Sequence, residues 1–265
     1  MNYSSVPDLA VELNNGVLSL TFNRPDSLNS LTEVMLKTAA DTLDLAAADP
    51  QVKVVRLGGA GRGFSSGAGI SAEDQAAATI SPTVDPLLAE ANRVVRTITA
   101  LPKPVVAVVH GPAAGVGVSL ALACDVVLAS EKAFFLLAFT KIGLMPDGGA
   151  SALVAAAIGR IRAMRMALLA ERITAAEALE YGLVSAVYPQ DDLETEVARV
   201  INTLMSGPAV ALRKTKQAIN SATLTELDHA IDRETAGQLV LLHSKDFREG
   251  TRAFQERRAA NFTDA

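Results

Sequence analysis

Apolar and polar residues alternate through residues 17–22 (VLSLTF), the period of a half-buried strand, and Asn23-Arg24-Pro25 stops the run. Ser30-Leu31-Thr32-Glu33 then has the form of a capping box. It predicts a helix through VMLKTAADTLDLAAAD that ends near Asp49-Pro50. Residues 52–57 (VKVVRL) predict a second strand, followed by the glycine-rich loop GGAGRGFSSGAG. In residues 85–101, Leu87, Leu88, Ala91, Val94, Val95 and Ile98 share one helical face, and Pro102 and Pro104 close the helix. Residues 105–109 (VVAVV) are apolar throughout, as expected of a strand covered on both faces. HGPAAGVG leads from it into a helix through Cys124, then the strand DVVLAS, then another helix after Asp147. Thr174-Ala175-Ala176-Glu177 is a second capping box, with Gly182 placed to end its helix.

Alternating strands and helices predict an α/β fold of right-handed βα units. From about Leu193 only the helical pattern continues, with Leu193, Val197, Val200, Ile201 and Leu204 at helical spacing, and the chain ends in charged helix (FREGTRAFQERRAANF). Residues 1–192 therefore read as the core. Residues 193–265 read as a helical region too thin to hold a core of its own, expected to dock on a partner subunit.

The composition narrows the classes. The chain has 265 residues, is 49% hydrophobic and 20% charged, and so is an ordinary globular sequence rather than a disordered one. A net charge of −5 and 4% aromatic residues without Trp argue against a nucleic-acid partner. The one cysteine, Cys124, lies in an apolar run, which fits a reduced cytoplasmic chain. The first residues show no secretion signal, and no apolar run reaches membrane-spanning length, so a cytoplasmic protein away from the membrane is expected. The three histidines lack metal-ligand spacing, and no metal is expected.

Three kinds of chemistry compete for the glycine-rich loops. G-x-G-x-x-G fails at each start, reaching Leu120, Ala72 or Ser66 where the last glycine belongs, and G-x-x-x-x-G-K-[ST] is absent. Gly63-Phe64-Ser65-Ser66-Gly67 matches the hydrolase pattern G-x-S-x-G, with His110, His229 and His243 downstream. Yet loop residues separate Ser65 from its strand, whereas a nucleophile elbow needs strand, serine and helix in direct succession. The third reading is a hole of backbone amides for a developing oxyanion. GFSSGAG and AAGVG each follow a buried strand and should emerge at one sheet edge, and AAGVG opens a helix whose first amides are free. Tight turns without a ligand are the rival to this reading.

In order along the chain, NRPDSLNSL, GRGFSSGAGI, KPVVAVVHGPAAGVGVSLALACDVVLAS, AFTKIGLMPDGGAS, ITAAEALEYGLVSAVYP and FREGTRAFQERR resemble the enoyl-CoA hydratase/isomerase (crotonase) family over residues 10–262. The resemblance implies a crotonase-like ββα spiral core with a C-terminal helical trimerisation region, assembled as a homotrimer or dimer of trimers. It implies an acyl-CoA thioester substrate and no cofactor beyond the CoA that the substrate carries. By position, the amides of Ala68 and Val116 form the oxyanion hole, and Leu28, Ser66, Gly67, Gly69, Ile70, Gly115, Ser119 and Phe139 contact substrate, with Ser119 and Phe139 shaping the acyl pocket. Gly69 stands where the family often has aspartate. Family hydratases hold water with two glutamates; here Ser119 takes the place of the first, and Ala138-Phe139 replaces Pro-Glu at the second.

LMPDGGAS resembles the isomerase branch, including 1,2-epoxyphenylacetyl-CoA isomerases, whose base is an aspartate in this context. The resemblance makes Asp147 the base of a double-bond isomerase acting on 3-enoyl-CoA or a related ring-bearing CoA ester. Asp147 also stands where a helix N-cap belongs, and a capping carboxylate is held low by amides while one buried beside Phe139 and Leu144 is driven up. Two alternatives stay open: a hydratase recruiting Glu73 or Asp74, and a silent acyl-CoA-binding homologue in which Asp147 is only a cap. Arg24, Arg257 and Arg258 are candidates for CoA phosphates, against ordinary surface charge.

Overall fold

In this computed structural model residues 1, 3–71, 74 and 83–263 are described. Asn15 and Gly16 turn with φ of 48° and 87° and fold β1 (Leu9–Asn14) antiparallel onto β2 (Val17–Phe22). Asn-Gly is the pair that such a two-residue turn demands. The sheet then continues in parallel through β3 (Val54–Gly59), β4 (Val105–Val109) and β6 (Val126–Ser130) to β9 (Ala186–Tyr188). A second sheet joins β5 (Pro112–Ala114), β7 (Phe134–Leu136) and β8 (Ile173–Thr174). The helices are α1 (Glu33–Ala48), α2 (Pro86–Ala100), α3 (Val116–Ala123), α4 (Ala150–Leu169), α5 (Ala175–Tyr181), α6 (Leu193–Ser206), α7 (Ala209–Thr223), α8 (Leu227–Leu241) and α9 (Lys245–Glu256).

The strand β4 shows why the sheet is covered twice. Side chains alternate across a strand, so Val105, Ala107 and Val109 enter the main core, while Val106 and Val108 face the other way. The main core also takes Met35, Leu36 and Leu43 of α1 and Val94, Val95 and Ile98 of α2. On the opposite face Leu193, Val197 and Ile201 of α6 pack with Val54, Val106, Val108 and Leu128. The first helix of the C-terminal region thus closes the second face of the sheet in its own chain.

β2 and β4 have the predicted bounds, and β3 begins two residues later than expected. β1 and the short strands of the second sheet lie outside the predicted elements. Asp85 caps α2 through the Leu88 amide, and Thr174 and Glu177 form the expected capping box. At α1 the cap is Thr32, which accepts from the Met35 amide, rather than Ser30. Ser30 is already bonded to Arg24 and Ser27. Among the described residues no helix is long and apolar enough to cross a membrane.

Asn29 ties the segment after β2 to the loop after β3. It is fully buried with φ of 58°; its Nδ2 donates to the Ala60 and Gly63 carbonyls at 2.8 Å each, and its Oδ1 accepts from the Arg24 amide. Asn29→Ala leaves these backbone groups unpaired in the interior and is expected to cost about 3 kcal/mol, read as a fall in the urea unfolding midpoint.

Candidate active site

β3 and β4 are parallel neighbours, so the loops that leave their C-terminal ends emerge together. The Phe64 and Ser65 amides donate to the Pro112 carbonyl, and the Ala114 amide returns a bond to the Ser65 carbonyl at 2.8 Å. Gly67, with φ of 88°, and Gly115, with φ of 55°, face each other so closely that a Cβ on Gly67 would stand 2.9 Å from the Ala114 oxygen. Only glycine allows that approach in that conformation. Ala68 follows Gly67 and is exposed; Val116 follows Gly115 as the first residue of α3 and is buried. Among the described residues neither the Ala68 nor the Val116 amide donates to a protein acceptor. Two glycine loops therefore bring two unspent N–H groups to one end of the sheet.

The other expected contacts surround this point in different ways. The Leu28 carbonyl accepts from the Ser66 amide, and Ser66 Oγ donates to the Ser27 carbonyl. Gly69 packs against Asp74, whose Cγ would meet a Cβ at 2.5 Å, so an aspartate at position 69 would not fit beside it. The Ile70 carbonyl accepts from Gln255 of α9. Phe139 is buried, with its ring tip 3.9 Å from where a Gly115 Cβ would be, and forms an apolar wall. Ser119 differs from expectation. It is fully buried and its Oγ donates to the Asp147 carbonyl at 2.7 Å, so it fastens the Asp147 loop instead of lining a pocket.

Asp147 does not cap α4. The N-cap is Gly149, with φ of 76°, and the amides of Gly149 and Ser151 donate to Oε2 and Oε1 of Glu234 at 2.6 and 2.8 Å. Glu234 belongs to α8 and is buried. Among the described residues the Asp147 carboxylate keeps one partner: its Oδ2 accepts from Gln238 Nε2 at 2.7 Å, and its buried Oδ1 has none. Burial pushes the Asp147 carboxyl up to about 7; the Gln238 bond pulls the other way, and the like charges of Glu234 and Asp85 add to the rise. Gly148 presses against α3, where a Cβ would stand 2.9 Å from Val116 Cγ2 and 3.0 Å from Ser119 Cβ. The carboxylate, the Val116 amide and the loop of Ala68 thus belong to one packed unit.

Glu234 and Gln238 were not among the expected site residues. Leu227, Ala230, Ile231, Glu234 and Gln238 form the buried stripe of α8, so a Glu and a Gln continuing an apolar stripe were the available signal. A close approach also seats α8 against the Asp147 loop at Gly237, where a Cβ would collide with Met145 Sδ.

The competing chemistries fare differently. Ser65 is fully buried, its Oγ donates to the Asn29 carbonyl and accepts from the Gly67 amide, and His110 instead contacts the Gly61 carbonyl. Ser65 is thus a loop brace, in keeping with the sequence argument against a nucleophile elbow. Asp74 is paired with Arg24 and bonded to Ser71, which keep its carboxyl below the usual range despite burial. Glu73 lies outside the described residues. Arg24 is spent on Asp74 and Ser30, and Arg258 on Glu249 and Glu256. Among the described residues no group of three or more His, Cys, Asp or Glu could hold a metal ion.

The Asp147 carboxyl titrates near 7 in the folded chain against 3.8 unfolded, so folding favours its protonated form. Below about pH 4 it contributes nothing to stability; from there to pH 7 stability falls as pH rises, and the whole loss persists above. Asp147→Asn should match the wild type below about pH 4 and gain on it by up to about 1.4 kcal/mol per pH unit between pH 4 and 7, read from urea midpoints.

The family described as enoyl-CoA hydratase/isomerase matches residues 12–265. The 1,2-epoxyphenylacetyl-CoA isomerase of Escherichia coli is 38% identical over 251 residues, 94% of this chain and 95% of that protein. A probable enoyl-CoA hydratase of Rhodobacter capsulatus is also 38% identical, over 95% and 96%. The crystal structure of an enoyl-CoA hydratase from Mycobacterium avium subsp. paratuberculosis superposes with a TM-score of 0.91 at 67% identity, covering 98% of this chain and all of that one. With the crotonase fold and this spread of matches, the chain belongs to the enoyl-CoA hydratase/isomerase family.

Proposed function

We propose that the protein is an acyl-CoA isomerase that moves a C=C bond from the 3 to the 2 position, or rearranges a related ring-bearing CoA ester, with Asp147 as its base. The observation that carries this reading is the state of Asp147: a half-buried residue whose Oδ1 is buried and, among the described residues, unpartnered, with its carboxylate free of the helix end it precedes. Asp147 takes a proton from C2 of the 3-enoyl thioester. The electron pair passes into the carbonyl, giving a dienolate whose oxygen accepts from the Ala68 and Val116 amides. Asp147 then returns the proton to C4, leaving the 2-enoyl product. One carboxylate that both takes and gives a proton works best with a pKa near the operating pH, and two preorganised amides are suited to an oxygen that gains charge.

Hydration needs a further group to hold and deprotonate water. Phe139 and the buried Ser119 supply no carboxylate at the positions of the family's glutamates, and Asp74 is neutralised by Arg24. CoA stays within the substrate, and no metal or other cofactor is assigned. We read the helices from Leu193 on as the surface for a trimer or dimer of trimers, supported by Val210, Val240 and Phe254, which stand exposed on α7, α8 and α9; light scattering of the purified protein measures that mass.

Turnover of 3-hexenoyl-CoA to the 2-enoyl product is the direct test, with crotonyl-CoA hydration run alongside. The wild type should isomerise without hydrating, and Asp147→Ala should lose about a thousandfold in kcat/KM while still folded. Because the base must be ionised, kcat/KM should climb with pH and level off above the Asp147 pKa of about 7. Hydration of crotonyl-CoA, or an active Asp147→Ala, would refute the reading.

A further inference from the structure

α8 contributes two polar side chains from its buried stripe, Glu234 and Gln238, one helical turn apart. Each meets the Asp147 segment at a different point. Glu234 spends one carboxylate oxygen on the Gly149 amide and the other on the Ser151 amide. Gln238 clasps the backbone of Met145 from both sides, its Oε1 accepting from the Met145 amide and its Nε2 donating to the Met145 carbonyl. Because the Met145 N–H can only donate, it fixes which way the Gln238 amide points. The same Nε2 then donates to Asp147 Oδ2.

We propose that Glu234 and Gln238 are positioning residues that decide which carboxylate serves the helix and which serves the reaction. Glu234 occupies the head of α4, so that Asp147 is not drawn onto it; Gln238 holds one oxygen of Asp147, so that the other is presented bare. The proposal rests on the reading of Asp147 as the base. Without Glu234, the buried Gly149 amide and the Ser151 amide lose their acceptor, and Asp147, two residues before Gly149, is the adjacent carboxylate. An aspartate on those amides is a cap with its lone pairs committed.

The substitution Glu234→Gln separates this role from simple packing. It keeps the shape of the side chain but offers one acceptor oxygen where two amides wait, leaving one amide to Asp147. The charged groups facing Asp147 are Glu234 on α8 and Asp85 at the head of α2, with Arg233 beside Glu234. Glu234→Gln removes a like charge and adds an amide bond, and both favour the ionised form of Asp147. Gln238→Leu removes a donor to the ionised form and disfavours it.

The two variants therefore move the titration of one group in opposite directions. The experiment is the pH profile of kcat/KM with 3-hexenoyl-CoA for wild type, Glu234→Gln and Gln238→Leu, together with an infrared titration of the carboxyl band that Asp147→Asn abolishes. The limb should move to lower pH by about one unit in Glu234→Gln, with kcat lowered at least tenfold, and to higher pH by a similar amount in Gln238→Leu. Both limbs unmoved, or both moved the same way, overturns the proposal. Should Glu234→Gln fail to fold, Gln238→Leu decides alone by the same rule. The infrared band needs no turnover, so an active Asp147→Asn would remove the base reading while the band still tests the positioning.

Discussion

The first amides of a helix have no partner within the helix, and at the head of α4 two of them are met from far along the chain. Glu234 lies 85 residues after Gly149, yet its two oxygens take the Gly149 and Ser151 amides. The local candidate, Asp147, is released. A carboxylate without amides, buried beside another carboxylate, is raised toward neutrality. Its character follows from where α8 lies.

The neighbouring helix shows the opposite solution. α3 also begins at a glycine with positive φ, but among the described residues the Val116 amide donates to nothing in the protein. One helix head is closed by a side chain and the other is left open, and the two are joined where Gly148 meets Val116 and Ser119. The proposed chemistry, with a base on one side and an open donor on the other, needs both arrangements at once.

Much of this was legible in the sequence. The alternation in β2, the unbroken apolar run of β4 and the box at Thr174 each report a local preference, and each element formed as expected. The two glycine loops were legible as a pair because both follow strands of one parallel sheet. Whether Asp147 caps α4 was not, because that depends on what else reaches the helix head. Glu234 reaches it from α8, through tertiary packing that no local pattern encodes. Ser119 misled for the same reason: its hydroxyl is defined by the Asp147 carbonyl, 28 residues away. Ser30 and Thr32 compete for one cap within three residues, and the outcome was set by Arg24 and Ser27 taking Ser30 first.

The distance along the chain between Asp147 and its partners has a meaning in time as well as space. Residues leave the ribosome from the N-terminus, so the sheet, both glycine loops and Asp147 itself are made before α8 exists. Until residues 227–241 arrive, the carboxylate that takes the Gly149 and Ser151 amides is absent from the chain. The group that leaves Asp147 off the head of α4 is thus supplied by a helix made after the sheet and both glycine loops, and that same helix brings Leu227 and Ile231 into the main core.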